Sequence, residues 1–150
     1  MQKITPFLWF ENQAEQAAEY YVSIFQNSRI TDVSRFAESG RGQPGSVMSV
    51  SFELEGQPFM ALNGSQRHKF TPALSLFVSC ETQAEVDALW EKLGNGGEEL
   101  ACGWVTDKFG VTWQIIPRGL GELMKSPKAV SAMLGMKKID LEQMRKAALS

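Results

Sequence analysis

Few side chains in this 150-residue sequence have the type and spacing that chemistry requires. The only histidine, His68, lies in a polar stretch with no H-x-H or H-x-E partner, so it reads as a solvated side chain rather than a metal ligand or a base. A nucleophilic thiol needs a base beside it. Cys80 and Cys102 sit in apolar surroundings and read as buried free thiols of a reducing compartment, with a disulfide or a nucleophile as the sharper alternatives. Asp107 opens the stretch Asp107-Lys108-Phe109-Gly110, where a carboxylate can cap a turn and a glycine can supply positive φ. Glu53 and Glu55 alternate beside a turn and read as a solvated face. That leaves Gln114, an amide between apolar neighbours. It either orients a ligand by donating and accepting at once, or bonds to an adjacent strand or water.

The elements that must position these residues come in two copies. Residues 11–20, ENQAEQAAEY, match residues 81–90, ETQAEVDALW, at an offset of 70. At the same offset Phe7 pairs with Phe77 and Thr5 with Ser75. Each copy opens with a short apolar run, Ile4 to Phe10 and Ala73 to Cys80, that leads into a capped helix. Asn12 with Glu15, and Thr82 with Glu85, supply the capping signatures. Ala14, Ala17, Ala18, Tyr21, Ile24 and Phe25 share one face of the first helix; Val86, Leu89, Trp90 and Leu93 share one face of the second, and both faces should pack on a sheet. Asn27 and Gly94 are the helix stops. Strands follow at Arg29 to Phe36, Ser46 to Leu54 and Pro58 to Asn63, with a glycine-rich connection at Gly40 to Gly45 and a hairpin turn at Glu55-Gly56-Gln57. In the second copy they fall at Glu98 to Val105 and Val111 to Ile116, one strand short. The order β-α-β-β-β, twice, predicts an α+β fold of two βαβββ modules in a single domain over 1–150. Module one spans about 2–66, module two about 70–118, and a Met-rich helical tail about 119–150. Ser126-Pro127 and Asp140 with Gln143 mark helix starts in that tail.

Composition excludes some functions. Apolar residues make up 43% of the chain and charged residues 21%, as in an ordinary globular protein. A formal net charge of −2 gives no general attraction to nucleic acid or an anionic membrane. No apolar run nears the roughly 20 residues of a membrane span, and the N-terminus has no signal-peptide pattern, so a cytoplasmic location is expected.

The paired modules resemble the vicinal-oxygen-chelate (glyoxalase and bleomycin-resistance) superfamily. Two segments, Ile4-Thr5-Pro6-Phe7-Leu8-Trp9-Phe10 and the run from Cys102 through Trp104, Asp107, Gly110 and Gln114 to Pro117, are similar to its PhnB-like branch, often labelled 3-demethylubiquinone methyltransferase-like. The resemblance spans residues 2 to about 145. It implies modules that curl into a half-open barrel around a ligand cavity, and a homodimer. With Leu8 and Phe10 turned to the helix, strand alternation places Thr5, Phe7 and Trp9 inward, and at the repeat offset Ser75, Phe77 and Ser79. One register adds Ala61 and Asn63, together with Phe59, from module one and Thr112, Gln114 and Ile116 from module two; a one-residue slip would reverse it. Trp104 completes the cavity candidates. The aromatic rings among them either wall a planar ligand or fill a core.

Metal-dependent relatives place His, Gln or Glu at four inward positions, which fall here near Pro6 or Phe7, at Ala61, near Ala73 and at Gln114. Only Gln114 can coordinate, so no divalent metal and no other cofactor is expected. Nor does the label imply methyl transfer, because neither Gly40 to Gly45 nor Gly94 to Gly97 lies between a strand and a following helix, as a nucleotide cradle would. The expectation is a protein that binds a small organic ligand without a metal. The alternatives are a metal-independent enzyme acting on a carbonyl or aromatic compound, and a scaffold that exchanges its tail between subunits.

Overall fold

The computed structural model of the chain describes residues 3–38, 40 and 42–150. The expected start of module one, at residue 2, lies outside them. Two compact units divide between Lys69 and Phe70.

The first unit runs β1 (Phe7–Phe10), α1 (Ala14–Ile24), β2 (Arg29–Arg35), β3 (Val47–Leu54) and β4 (Gln57–Asn63). Its sheet has the order β1-β4-β3-β2. The pair β1 and β4 is parallel and the rest antiparallel. From Val50 onward strand β3 alternates, with Val50, Phe52 and Leu54 buried and the residues between them half-buried. The buried face meets α1, whose Ala14, Ala17, Ala18 and Tyr21 are sequestered. Phe52 stacks on Phe59 with centroids 5.5 Å apart, and Tyr21 lies 6.5 Å from Phe52. Glu55 and Gly56 connect β3 to β4 at φ 50° and 79°, the two positive angles of a type I′ turn that matches strand twist.

Asn12 does not start α1 as expected. Gln13 holds the N-cap position without a side-chain bond, and the amide of Ala14 donates instead to Asn63 Oδ1 at 2.8 Å. The helix is thus capped by a residue from the far end of β4. An orphan N–H of a first turn accepts any well-placed oxygen, and tertiary structure supplied one that local spacing does not reveal.

The second unit repeats the pattern with β5 (Ser75–Cys80), α2 (Gln83–Gly94), β6 (Glu98–Glu99), β7 (Trp104–Thr106) and β8 (Thr112–Pro117), in the sheet order β5-β8-β7-β6. The α2 cap forms with its return bond one residue early: Thr82 Oγ1 accepts from the Glu85 amide at 3.1 Å, and Glu85 Oε2 accepts from the amide of Glu81, the residue before the N-cap, at 2.8 Å. The strand expected over Glu98 to Val105 is broken in two. Cys102 and Gly103 take positive φ, 59° and 86°, and turn the chain between β6 and β7. This recovers the strand that module two lacked in sequence, as a pair of edge residues.

Three helices follow: α3 (Leu120–Leu123), α4 (Pro127–Leu134) and α5 (Leu141–Leu149). Ser126 and Asp140 cap α4 and α5 as their sequence predicts. Ala129, Met133, Ile139 and Met144 form a buried cluster with Cys102, Leu120 and Leu123 packed against it. The tail is also pinned by polar contacts. Lys137 and Met136 carbonyls accept from Gly103 and Cys102 amides at 2.7 and 2.9 Å. Gln83 uses both ends of its amide, donating to the Ile139 carbonyl at 2.8 Å and accepting from the Leu141 amide at 3.0 Å. A hydrogen bond from Lys138, aided by Gln83, holds the Asp87 carboxyl below its ordinary range. Gln83→Ala is expected to cost about 1–2 kcal/mol, the value of two net hydrogen bonds. Hydrogen exchange should speed up at Leu141 and not at Val50; unchanged exchange at Leu141 would show that Gln83 does not hold the tail.

Candidate functional site

Each sheet has one face under its helix and one face without it. In the second unit the open face is set by the pairing of Ser75 with Thr112, Phe77 with Gln114, Ser79 with Ile116, and Trp104 with Gln114. Trp104, Gln114 and Phe77 therefore form one rung across β7, β8 and β5, flanked by Ser75. Four of the eight sequence candidates come together there, in the expected register. Trp113, Ile115 and Cys80 point the other way and are buried. Gln114 donates its amide nitrogen to Ser75 Oγ at 2.9 Å. Phe77 is 60% exposed, unusual for a phenyl ring on a sheet. Beside the rung lies a cavity of about 480 Å³. Its lining adds Ser79 and Ile116, which strand alternation also turns inward, and Cys102 and Arg118, which sequence reasoning did not place there.

In the first unit the register differs from the sequence expectation by one residue. Phe7 pairs with Met60, Leu8 with Ala61, Trp9 with Leu62 and Phe10 with Asn63. Paired residues share a face, so Phe7, Trp9, Met60 and Leu62 stand on the open side. Phe59, Ala61 and Asn63 go with Leu8 and Phe10 to the helix side. Phe59 and Ala61 are buried, and the Asn63 amide is spent on Ala14 and on the Val47 carbonyl at 3.1 Å. The position matching Gln114 is Met60, not Ala61. A signal for this existed: the aromatic Phe59 matches the helix-facing Trp113, which aligns the two final strands. Trp9 donates from its indole nitrogen to the Ser65 carbonyl at 2.9 Å and meets His68 edge-on at 4.8 Å. The first unit has its own cavity, about 740 Å³, which opens against Trp9, Phe36, Met48 and Leu62 and carries Glu15 and Arg67 on its lining.

The remaining reactive groups are accounted for structurally. Asp107 accepts three hydrogen bonds within its turn and from Trp113. No group of three or more His, Cys, Asp or Glu converges among the described residues, and no described helix is long and apolar enough to cross a membrane. Cys80 is a free, fully buried thiol. Burial, with the Glu85 carboxylate adding to it, pushes the thiol up to about 12 from 9.0. Its thiol form is therefore favoured in the folded state. Stability attributable to Cys80 is complete below about pH 9 and falls between about 9 and about 12, where the unfolded thiol has lost its proton and the folded one has not. Comparing wild type with Cys80→Ala in urea should show this loss, at most about 1.4 kcal/mol per pH unit. Parallel pH profiles would refute it.

The model of the 3-demethylubiquinone-9 3-methyltransferase family matches residues 2–116. A solved PhnB protein from Bacillus cereus with the same methyltransferase description is 42% identical, with a TM-score of 0.72; the match covers 77% of this chain and 99% of that one. A solved protein from Pseudomonas aeruginosa, 19% identical, shares the fold at a TM-score of 0.67 over 78% of this chain and 98% of its own. A search of curated proteins gave no match. The family match stops before α3, short of the residue near 145 to which the sequence resemblance extends. The chain belongs to the 3-demethylubiquinone-9 3-methyltransferase family, within the PhnB-like branch of the vicinal-oxygen-chelate superfamily.

Proposed function

We propose that this protein binds a small organic molecule on the open faces of its sheets, without a metal, and does so as a homodimer. The Trp104–Gln114–Phe77 rung carries the reading: two aromatic rings flank a half-buried amide beside a cavity of ligand size. Dimerisation is supported by the exposure of Phe7 and Phe77 on those faces, 51% and 60%, since a partner surface would remove both rings from water.

The metal-free part of the proposal rests on residue type. The matched positions on β4 and β8 hold Met60 and Gln114, and the first-strand positions hold Phe7 and Phe77; one amide and one thioether make a poor set for a hard divalent ion. Methyl transfer would need a nucleotide cradle between a strand and a helix. Gly40 to Gly45 lies between β2 and β3, and Gly94 to Gly97 lies between α2 and β6. The titratable side chains lining the 480 Å³ cavity of the second unit are Cys102 and Arg118, neither a His nor a carboxylate of the kind that commonly serves as general base.

Native mass spectrometry of the full chain, purified without chelator or affinity metal, tests this. The expected spectrum is a metal-free dimer with a small-molecule adduct that Phe77→Ser removes. A monomer, or one divalent ion per chain, would sink the proposal.

A further inference from the structure

The cavity of the second unit is not built by the family core alone. Its floor is the open face of the sheet, through Phe77, Gln114 and Ile116, but Leu120, Met124 and Met133 of the tail also line it. Those three lie beyond residue 116, where the family match ends. The Bacillus cereus relative is matched over 99% of its length by only 77% of this chain, so the tail has no counterpart of its length there. The tail is anchored independently of any ligand, through Gly103, Gln83 and the cluster around Ile139.

We infer that the C-terminal helices wall one side of the open face of the second sheet, making it a wide-mouthed pocket, and that Leu120 and Met124 set its specificity for a compact, mostly apolar molecule bearing one hydrogen-bond donor. This rests on the proposed open-face binding and names its ligand class. The apolar walls come from Phe77, Ile116, Leu120, Met124 and Met133. The demand for a donor comes from Gln114. Its amide nitrogen spends one of its two N–H groups on Ser75, which orients the amide, and its carbonyl oxygen is an acceptor for a ligand donor. A volume of about 480 Å³ suits a molecule of one or two fused rings. Met suits a specificity wall because its unbranched thioether adjusts to an aromatic face.

The test uses the full chain labelled with carbon-13 at its methionine methyls and titrated with 2-naphthol, a flat molecule with a single hydroxyl donor. Saturable shifts are expected at Met124 and Met133, with those at Met48 and Met60 of the first sheet unmoved. Met124 is 42% exposed, so Met124→Ala should fold normally; it should weaken binding about fivefold, with Met124→Leu restoring it. The donor-free analogue 2-methoxynaphthalene should bind about tenfold more weakly. Shifts confined to Met48 and Met60 would overturn the tail pocket while leaving open-face binding standing. Equal binding by Met124→Ala, or by the methoxy analogue, would overturn the specificity assigned here. No saturable shift at any methionine would overturn the pocket, leaving open-face binding to be judged by mass spectrometry.

Discussion

Asp107→Ala is expected to destabilise the folded protein by about 4 kcal/mol, read as a lowered urea midpoint at unchanged slope. Asp107 follows β7 and is 2% exposed. Its Oδ1 accepts from the amides of Phe109 and Val111 at 2.8 and 3.1 Å, and its Oδ2 from the indole nitrogen of Trp113 at 2.8 Å. The backbone closes the same turn, with the Asp107 amide donating to the Val111 carbonyl at 2.8 Å and the Gly110 amide to the Asp107 carbonyl at 3.0 Å. One carboxylate thus shapes the β7–β8 turn and fixes the Trp113 ring in the core beneath the Gln114 rung. Alanine would leave the Val111 amide and the Trp113 indole without that acceptor at positions 4% and 2% exposed, where water cannot substitute cheaply. Asp107→Asn keeps one acceptor oxygen and should lose about half as much. A loss below about 1 kcal/mol for alanine would show that the turn holds without the carboxylate.

The turn at Asp107 was legible because its chemistry is local: an acid, two residues and a glycine. The repeated modules were legible because an offset of 70 preserves strand, cap and helix face together. What escaped depended on contacts between distant segments. Asn63 caps α1 from 49 residues away, and no local pattern announces that. The break between β6 and β7 needs a non-glycine residue, Cys102, at φ 59°, a conformation paid for by tail contacts rather than by composition. The candidate site divided the same way. On β8, Trp113 and Ile115 alternate with Thr112, Gln114 and Ile116, so one face is largely polar and the register declares itself. On β4, Phe59 and Ala61 alternate with Met60 and Leu62; both faces are apolar, and alternation alone cannot say which one the helix covers. The tail wall of the cavity in the second unit was hidden for a further reason: apolar helical spacing shows that a helix packs, not on what.

That ambiguity on β4 is decided by the second large effect. Ala61→Phe is expected to destabilise the protein by about 3 kcal/mol, and Met60→Phe by less than about 0.5 kcal/mol. Ala61 pairs with Leu8 on one side and Val50 on the other, and all three are buried on the face that α1 covers. The helix presents Ala14, Ala17 and Ala18 there, each without exposed surface. Small residues on both surfaces let the helix lie close to the sheet, at interior packing density, so a phenyl ring must lift the helix or abandon its rotamer. Lifting it would also pull the Ala14 amide from Asn63 Oδ1, adding a lost cap to the steric cost. Met60 is half-buried on the open side, where a ring of similar length finds room. Measured side by side in urea, the two variants separate the registers: a silent Ala61→Phe with a costly Met60→Phe would put Phe59, Ala61 and Asn63 on the open face and return Ala61 to the position matching Gln114.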